Sequence, residues 1–542
     1  MNQFSILMGG TNGYGINDAC MMLCRLFSRY GLHVYAYNDF PSVIRGQHQF
    51  AYVRAATEKI STHSKVPDVA LLLNQEALDV HKGDFAPNTV ILSDPGQMPK
   101  EMQPACMAAT LCSRLGIPWD DLKQVVEKHH PQKAGEELER MKAAYDGQIG
   151  QDSIRIPGFD FAGFNNTKTK TSETKGTLPV LNGCQAVSLG LLKTGLRAYT
   201  AYPMTPTSPI LEYLAGLEKE AGLQVVLPES EIAVIMTALG YSYMGIKNAV
   251  GTSGGGFSLM VEGLGLSGMS ELPVVVVMGQ RAGPSTGMPT YSAQTDLMFV
   301  LSAGHGEFAR FVVAPGDAEE AYYWSGIAMN KAWKFRMPAL VLTDKVLGLG
   351  IYDFDLGQSP ELAAEEIDLS PELTPGISPE PTPGIAPGLS TGRVFKANSY
   401  VHDGNGYARE NPEIAKASAD DLMKKYDLLS RDLEPLEQVK VYGEGKTALL
   451  CWGTNKGVCM ETAAKLGMKA VQVLVLSPFP VKAMAKALEG VERVIDVECN
   501  AQGQFGMLMM QNGFAVQDKI LKYDGRPFAL EDLEEEVKKV MK

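Results

Sequence analysis

The chain has 542 residues, 45% of them hydrophobic, and its 49 Lys and Arg against 62 Asp and Glu leave a formal net charge of -13. That is enough material for more than one buried core, and length alone suggests about three or four domains. The acidic balance and scattered cations exclude a nucleic-acid binder, and no apolar run approaches membrane-spanning length, so a soluble cytoplasmic protein is expected.

The first element is Phe4-Ser5-Ile6-Leu7-Met8, a short apolar strand that breaks into Gly9-Gly10-Thr11-Asn12-Gly13-Tyr14-Gly15 before helical apolar spacing from Ile16 to Tyr30. Strand, glycine-rich turn and helix form a phosphate-cradling arrangement: glycines let the backbone approach a ligand, and the helix N-terminus offers free N–H groups. The spacing is not a strict G-x-G-x-x-G. The next strand, His33 to Tyr37, ends in Asn38-Asp39, an acid where a dinucleotide site would hold a ribose, which keeps a nicotinamide-dependent dehydrogenase open. Arg45 follows in the next loop, and a cation beside that edge fits an anion site better. Strands at Val69–Leu73 and Val90–Ser93 complete an α/β domain over 1–160. The segment 161–178 turns to Asn, Thr, Lys, Ser and Gly, the composition of a flexible linker.

A second α/β domain is expected over 179–355. Its strand at Ala198–Ala201 runs into Tyr202-Pro203-Met204-Thr205-Pro206-Thr207-Ser208-Pro209, where flanking prolines restrain the backbone that carries Thr205. Val225-Val226-Leu227 stops at Pro228, and a helix follows with Glu229 and Glu231 in its first turn and an apolar run to Met244. Such a helix reads as buried, and a carboxylate at its mouth is favoured by the helix dipole yet stripped of water, which suits acid/base work; two acids that simply complement a helix start are the plain alternative. Asn248–Thr252 reads as a strand leading into Ser253-Gly254-Gly255-Gly256, and Pro273–Met278 as a central parallel strand. Just beyond comes Gly279-Gln280-Arg281-Ala282-Gly283-Pro284-Ser285-Thr286-Gly287. Ligands of open parallel sheets sit past the C-terminal strand ends, and an arginine there can grip a carboxylate with two hydrogen bonds, although a surface arginine in a turn has the same signature.

A Pro-, Glu- and Gly-rich connector and a charged helical stretch fill 356–440, and a third α/β unit occupies 441–542. Its strands begin at Thr447-Ala448-Leu449-Leu450-Cys451-Trp452 and include Arg493–Val497, which ends in Glu498-Cys499-Asn500-Ala501-Gln502-Gly503-Gln504. The eight cysteines are dispersed with no Cys-x-x-Cys, so no zinc or iron–sulfur site is expected from this chain and most are expected to be reduced core residues.

Taken together, the Tyr202–Pro209 turn, Glu229-Ser230-Glu231, Thr252-Ser253-Gly254, Gln280–Gly287 and Glu498-Cys499-Asn500 with Gly503-Gln504 resemble the alpha subunit of 2-oxoacid:ferredoxin oxidoreductases. The N-terminal domain resembles that family's gamma component fused ahead of alpha, the arrangement of the 2-oxoglutarate enzymes. The resemblance implies three open-sheet α/β domains: a gamma-type Rossmann-like domain, a thiamine-diphosphate pyrimidine-binding domain and a transketolase C-terminal-like domain. It implies oxidative decarboxylation of a 2-oxoacid with thiamine diphosphate, the acyl group passing to coenzyme A and two electrons to ferredoxin. Glu231, at the family's distance before Gly240, corresponds to the glutamate that hydrogen-bonds the coenzyme's aminopyrimidine ring. Thr205 and Arg281 correspond to the residues that hold the substrate's carboxylate and keto group. By the same resemblance Tyr202, Pro203, Thr252, Ser253 and Gly254 are expected to line the cofactor, and Gly10, Thr11, Asn12, Gly13 and Arg45 are expected where coenzyme A is met.

Two departures stand out: Gly255 where the family has proline, and an N-terminal turn without Gly-Gly-Gln-Gly. No Gly-Asp-Gly followed by Asn occurs to bind magnesium and diphosphate, so a beta subunit is expected to bring Mg2+, the diphosphate grip and a [4Fe–4S] cluster, in a dimer of alpha–beta units. Two other readings remain: a coenzyme-A- or nucleotide-binding scaffold without catalytic residues, and the dehydrogenase using Asp39.

Overall fold

Alternation along the strand Gln3–Thr11 puts Phe4, Ile6 and Met8 on one face, in one apolar core with Ile16, Cys20, Leu23 and Phe27 of the helix Ile16–Arg29. The computed structural model describes residues 2–41, 46–93, 103–129, 131, 135–159, 161, 178–365, 398–403 and 406–542. Arg45 and the connector residues 162–177 and 366–397 lie outside the described residues. By its contacts the chain divides into two units, the first made of Met1–Asn182, Leu349–Asp355 and Ala529–Lys539, the second of the rest.

The first unit is built on a seven-stranded sheet in the order Val90–Ser93, Val69–Leu72, Gln3–Thr11, His48–Ala56, His33–Asp39, Ile351–Asp353, Val180–Asn182. It is mixed: the first three strands run parallel, but His48–Ala56 pairs antiparallel with both neighbours, as does Ile351–Asp353. His48–Ala56 is absent from the sequence reading, although it alternates core-facing Ala51, Val53 and Ala55 with bulky Phe50, Tyr52 and Arg54. The late strand is fastened by Asp353. Burial alone would raise that carboxyl, but His33 Nδ1 at 2.7 Å, Lys59 and the Val34 N–H hold it below the usual carboxylate range.

The second unit has two sheets. One runs Val475–Ser477, Phe311–Val313, Pro338–Asp344, Val274–Gln280, Asn248–Ser253, Ala198–Ala201, Gln224–Val226, parallel except for the first strand. The other runs Val439–Tyr442, Lys469–Val473, Thr447–Cys451, Arg493–Glu498, Asp518–Leu521, parallel but for its first strand. The charged helix that precedes it spans Pro412–Leu433. The helix Glu231–Tyr243 is not buried all round: Ile232 and Met236 are exposed on one side while Val234, Ile235 and Ala238 are buried on the other.

A buried ion network joins these two sheets. Lys456 Nζ pairs with Asp317 and lies 2.7 Å from Glu320 Oε1, and Glu320 also accepts from Lys440, Gln472 Nε2 and the Gly316 N–H. Burial works against the ammonium, yet Asp317 and Glu320 outweigh it and hold Lys456 well above its ordinary range. Lys456→Met removes the ammonium that Asp317 and Glu320 share, leaving Glu320 to Lys440, Gln472 and the Gly316 N–H. The expected cost is about 3–5 kcal/mol, read as a loss of stability in denaturant titration.

Candidate active site

In the parallel sheet of the second unit, the chain leaves Ala198–Ala201 toward Gln224–Val226 on one side and returns to Asn248–Ser253 on the other. The crevice beyond the carboxyl ends of Ala198–Ala201 and Asn248–Ser253 is therefore a topological switch point, where open α/β sheets take their ligands. Tyr202, Pro203 and Thr205 leave one strand there, Tyr202 and Pro203 exposed and Thr205 half-buried. Thr252, Ser253 and Gly254 end the other. Glu231 enters as the first residue of its helix, and Glu229 lies outside, before the cap Ser230, whose hydroxyl accepts the Ala233 N–H.

Glu231 is 5% exposed, and its carboxylate takes no hydrogen bond from any described residue. A Cβ added to Gly256 would stand 2.6 Å from Glu231 Oε1 and 2.3 Å from Thr252 Oγ1, so the side chain lies across the first turn of the helix Gly254–Met269. Only glycine at 256 leaves that space. A carboxylate with no protein donor keeps its acceptor capacity for a ligand, and a heterocycle with a protonatable ring nitrogen is the kind of partner it would take. The residues here thus fit the aminopyrimidine of thiamine diphosphate.

Arg281 follows the strand Val274–Gln280 and is tied to the neighbouring turn by Nη1 donating to the Thr205 carbonyl at 3.2 Å. Its Nε is buried without a partner, and burial lowers its proton affinity. That turn is packed against the strand: a Cβ on Gly279 would fall 2.8 Å from Pro206 and from Thr207. Arg281 and Thr205 are thereby brought together, with guanidinium donors left for an anion.

The sequence reading passed over Gln294 and Asp296. Gln294 is clamped by the third sheet: Oε1 accepts from Asn455 Nδ2 at 2.8 Å and the Cys499 N–H at 2.9 Å, Nε2 donates to the Trp452 carbonyl, and Asn500 donates to its carbonyl. Gln504 adds bonds to Thr295 and Met298. The Glu498–Gln504 turn thus braces the segment that follows Arg281. It is itself ordered by Glu498, which accepts from Phe505 N–H, Gly506 N–H, Trp452 Nε1 and Asn500 Nδ2. The polar triplet Gln294-Thr295-Asp296, set directly before the apolar run Leu297–Leu301, was the available signal.

In the first unit, Thr11, Asn12 and Gly13 form the turn after the strand Gln3–Thr11. The Asn12 N–H donates to the Gln47 carbonyl at 2.8 Å and Asn74 Nδ2 to Thr11 Oγ1 at 3.1 Å. Gly13 and Gly15 have φ of 93° and 95°, which favours glycine, and Gly15 opens the helix Ile16–Arg29 without a side-chain cap. Gly10 serves packing, since a Cβ there would meet Leu73 at 2.7 Å. Asp39 is buried and accepts from Tyr37 Oη. All eight cysteines are buried, and among the described residues no group of three or more His, Cys, Asp or Glu is placed to hold a metal ion. No helix among them is long and apolar enough to cross a membrane.

Two expectations follow. Gly256→Ala forces Glu231 and Thr252 aside at about 1–3 kcal/mol, whereas Gly255→Ala, whose nearest neighbour would be Met204 Cε at 4.0 Å, is stabilising by up to about 1 kcal/mol; denaturant midpoints separate them. Burial, reinforced by the neighbouring Glu498, pushes the Asp496 carboxyl well above its ordinary 3.8. The folded chain keeps a proton there that the unfolded chain releases, so this contribution is full below about pH 4 and is lost as pH rises through the raised value. Asp496→Asn should flatten that part of the stability–pH curve in thermal melts.

Residues 190–408 match the family described as pyruvate flavodoxin/ferredoxin oxidoreductase, thiamine diP-bdg, and residues 5–134 match pyruvate ferredoxin/flavodoxin oxidoreductase. The 2-oxoacid:ferredoxin oxidoreductase subunit alpha of Saccharolobus solfataricus is 36% identical over 67% of this chain, which spans 61% of that relative's length. The 2-oxoglutarate synthase subunit KorA of Archaeoglobus fulgidus is 30% identical over 60% of this chain and 88% of its own. The solved 2-oxoglutarate:ferredoxin oxidoreductase from Magnetococcus marinus, with 2-oxoglutarate, coenzyme A and succinyl-CoA bound, superposes with a TM-score of 0.85 at 25% identity over 100% of both chains. The chain belongs to the alpha subunits of the 2-oxoacid:ferredoxin oxidoreductase family.

Proposed function

We propose that this chain supplies the proton-handling half of a 2-oxoacid:ferredoxin oxidoreductase active site, that 2-oxoglutarate is its 2-oxoacid, and that a beta-type subunit completes it. The observation that carries the reading is Glu231: a buried carboxylate with no donor of its own, lodged against Gly256 and Thr252 at the switch point.

Thiamine diphosphate, when bound, supplies the nucleophilic carbon and electron sink that decarboxylation of a 2-oxoacid requires. Glu231 would hold a proton at a ring nitrogen of its aminopyrimidine, with Tyr202, Pro203, Thr252, Ser253 and Gly254 along its rim. Arg281 would bind the substrate carboxylate through the donors not spent on Thr205, and Thr205 would orient the keto oxygen. The net reaction consumes 2-oxoacid, coenzyme A and oxidised ferredoxin. It yields acyl-coenzyme A, carbon dioxide, a proton and two electrons on ferredoxin. Gly10, Thr11, Asn12 and Gly13 offer coenzyme A an uncapped helix N-terminus and glycine backbone.

The diphosphate grip, Mg2+ and [4Fe–4S] cluster are assigned to the partner, in a dimer of alpha–beta units. Supporting a partner chain, the helix of Glu231 turns Ile232 and Met236 outward beside Leu259, along a groove of about 670 Å³ that Leu266, Met269 and Phe308 also line. Support for 2-oxoglutarate comes from the KorA relatives, named 2-oxoglutarate synthase subunits, and from the 2-oxoglutarate bound in the Magnetococcus marinus enzyme.

Co-expressed with such a partner, the chain should reduce an electron-accepting dye in the presence of coenzyme A and 2-oxoglutarate, ahead of pyruvate in a panel of 2-oxoacids. Glu231→Gln should assemble normally and lose about 10²–10⁴-fold in kcat. Full turnover by the lone chain, or by the glutamine variant, would overturn the proposal.

A further inference from the structure

The segment clamped by the third sheet delivers one acidic side chain to the Arg281 pocket. The Asp296 N–H donates to Gln280 Oε1 at 3.2 Å, tethering it to the residue beside Arg281. Its carboxylate packs on the first residue of the helix Gly254–Met269, where a Cβ on Gly254 would stand 3.0 Å from Oδ1 and 3.2 Å from Oδ2. Asp296 Oδ2, Arg281 Nε and Ser253 Oγ are all buried and all without a hydrogen-bond partner. These three atoms gather at the ends of adjacent strands, Ser253 being the register partner of Gly279. Arg281 and Asp296 act on each other electrostatically but do not close into an ion pair.

We propose that Asp296 is a positioning residue for Arg281, balancing its charge in the resting site and taking up a proton when an anionic 2-oxoacid docks on the guanidinium. The inference rests on the assignment of Arg281 to the substrate carboxylate. With substrate bound, one cation would face two anions in a partly desolvated pocket, and neutralising Asp296 removes the repulsion. The competing influence is the start of the helix at Gly254, which favours the ionised form. Among the described residues Arg281 is the charged group that acts on Asp296, and Gln280 is neutral. Burial pushes the Asp296 carboxyl up to about 6 against the pull of Arg281, so its proton is within reach near neutrality. The brace formed by Gln294 and Gln504 then has a function: it holds the carboxylate at the distance that steers Arg281 without capturing it.

The sign is specific. The protonated site binds the anionic substrate better, so KM should rise as pH passes upward through about 6. In the assembled alpha–beta enzyme, KM for 2-oxoglutarate should increase roughly three- to tenfold between about pH 5.5 and 8, a coupling of up to about one pKa unit. Asp296→Asn keeps the shape and removes the charge. Its KM should be flat within about twofold and lower than wild type at high pH, with kcat largely retained, whereas Asp296→Ala should lose kcat as the guanidinium swings free. Calorimetric titration with N-oxalylglycine, an unreactive analogue of 2-oxoglutarate, in two buffers of different ionisation heat gives a second readout: proton uptake by wild type, none by D296N. A wild-type KM profile and wild-type proton uptake in D296N would overturn the inference while leaving Arg281 in place. An Arg281→Gln enzyme with unaltered KM would instead remove the assignment on which it rests.

Discussion

Glu231 is 5% exposed, takes no hydrogen bond from any described residue, and has its side chain laid into space that its neighbours leave open. Much of the surrounding sequence follows from accommodating it. Gly256 is glycine because the carboxylate and the Thr252 hydroxyl occupy the space of its side chain. Gly251 gives way in the same strand to the Tyr199 hydroxyl, which would stand 2.0 Å from a Cβ there. Ser230 caps the helix in place of Glu231, leaving the acid free to point inward.

The third sheet acts on that pocket at one remove. Its Glu498–Gln504 turn contributes hydrogen bonds rather than chemistry, and they fall on Gln294, Thr295 and Met298, the segment that follows the arginine loop. The Lys456 network with Asp317 and Glu320 ties the same sheet to the helix Ala318–Phe335. A loop carrying a guanidinium with an unpartnered buried nitrogen cannot be held by apolar packing alone. Saturated polar contacts from a neighbouring sheet give it one position.

The glycine turn of the first unit was legible as an anion-binding shape because positive φ at Gly13 and Gly15, followed by an uncapped helix, is a local matter. The mixed character of its sheet was not. Ile351–Asp353 and Val180–Asn182 join strands from the N-terminal 60 residues across long separations, and the tie through Asp353, His33 and Lys59 has no local signature. His48–Ala56 could have been recognised from its alternation, but the preceding proline and glycine made the region read as loop.

By itself the sequence determined the α/β class, the order of the strands that end in polar turns, and the identity of Glu231, Thr205 and Arg281 as the residues worth following, because short-range patterns of glycine, proline and apolar period carry that information. Only the tertiary structure decided that Glu229 stays outside while Glu231 is buried, that Gly256 rather than Gly255 is the obligatory glycine, and that Asp296 is brought near enough to act on Arg281. Those outcomes depend on which strand ends lie side by side at the switch point, a relation between residues distant in the chain that no local pattern encodes.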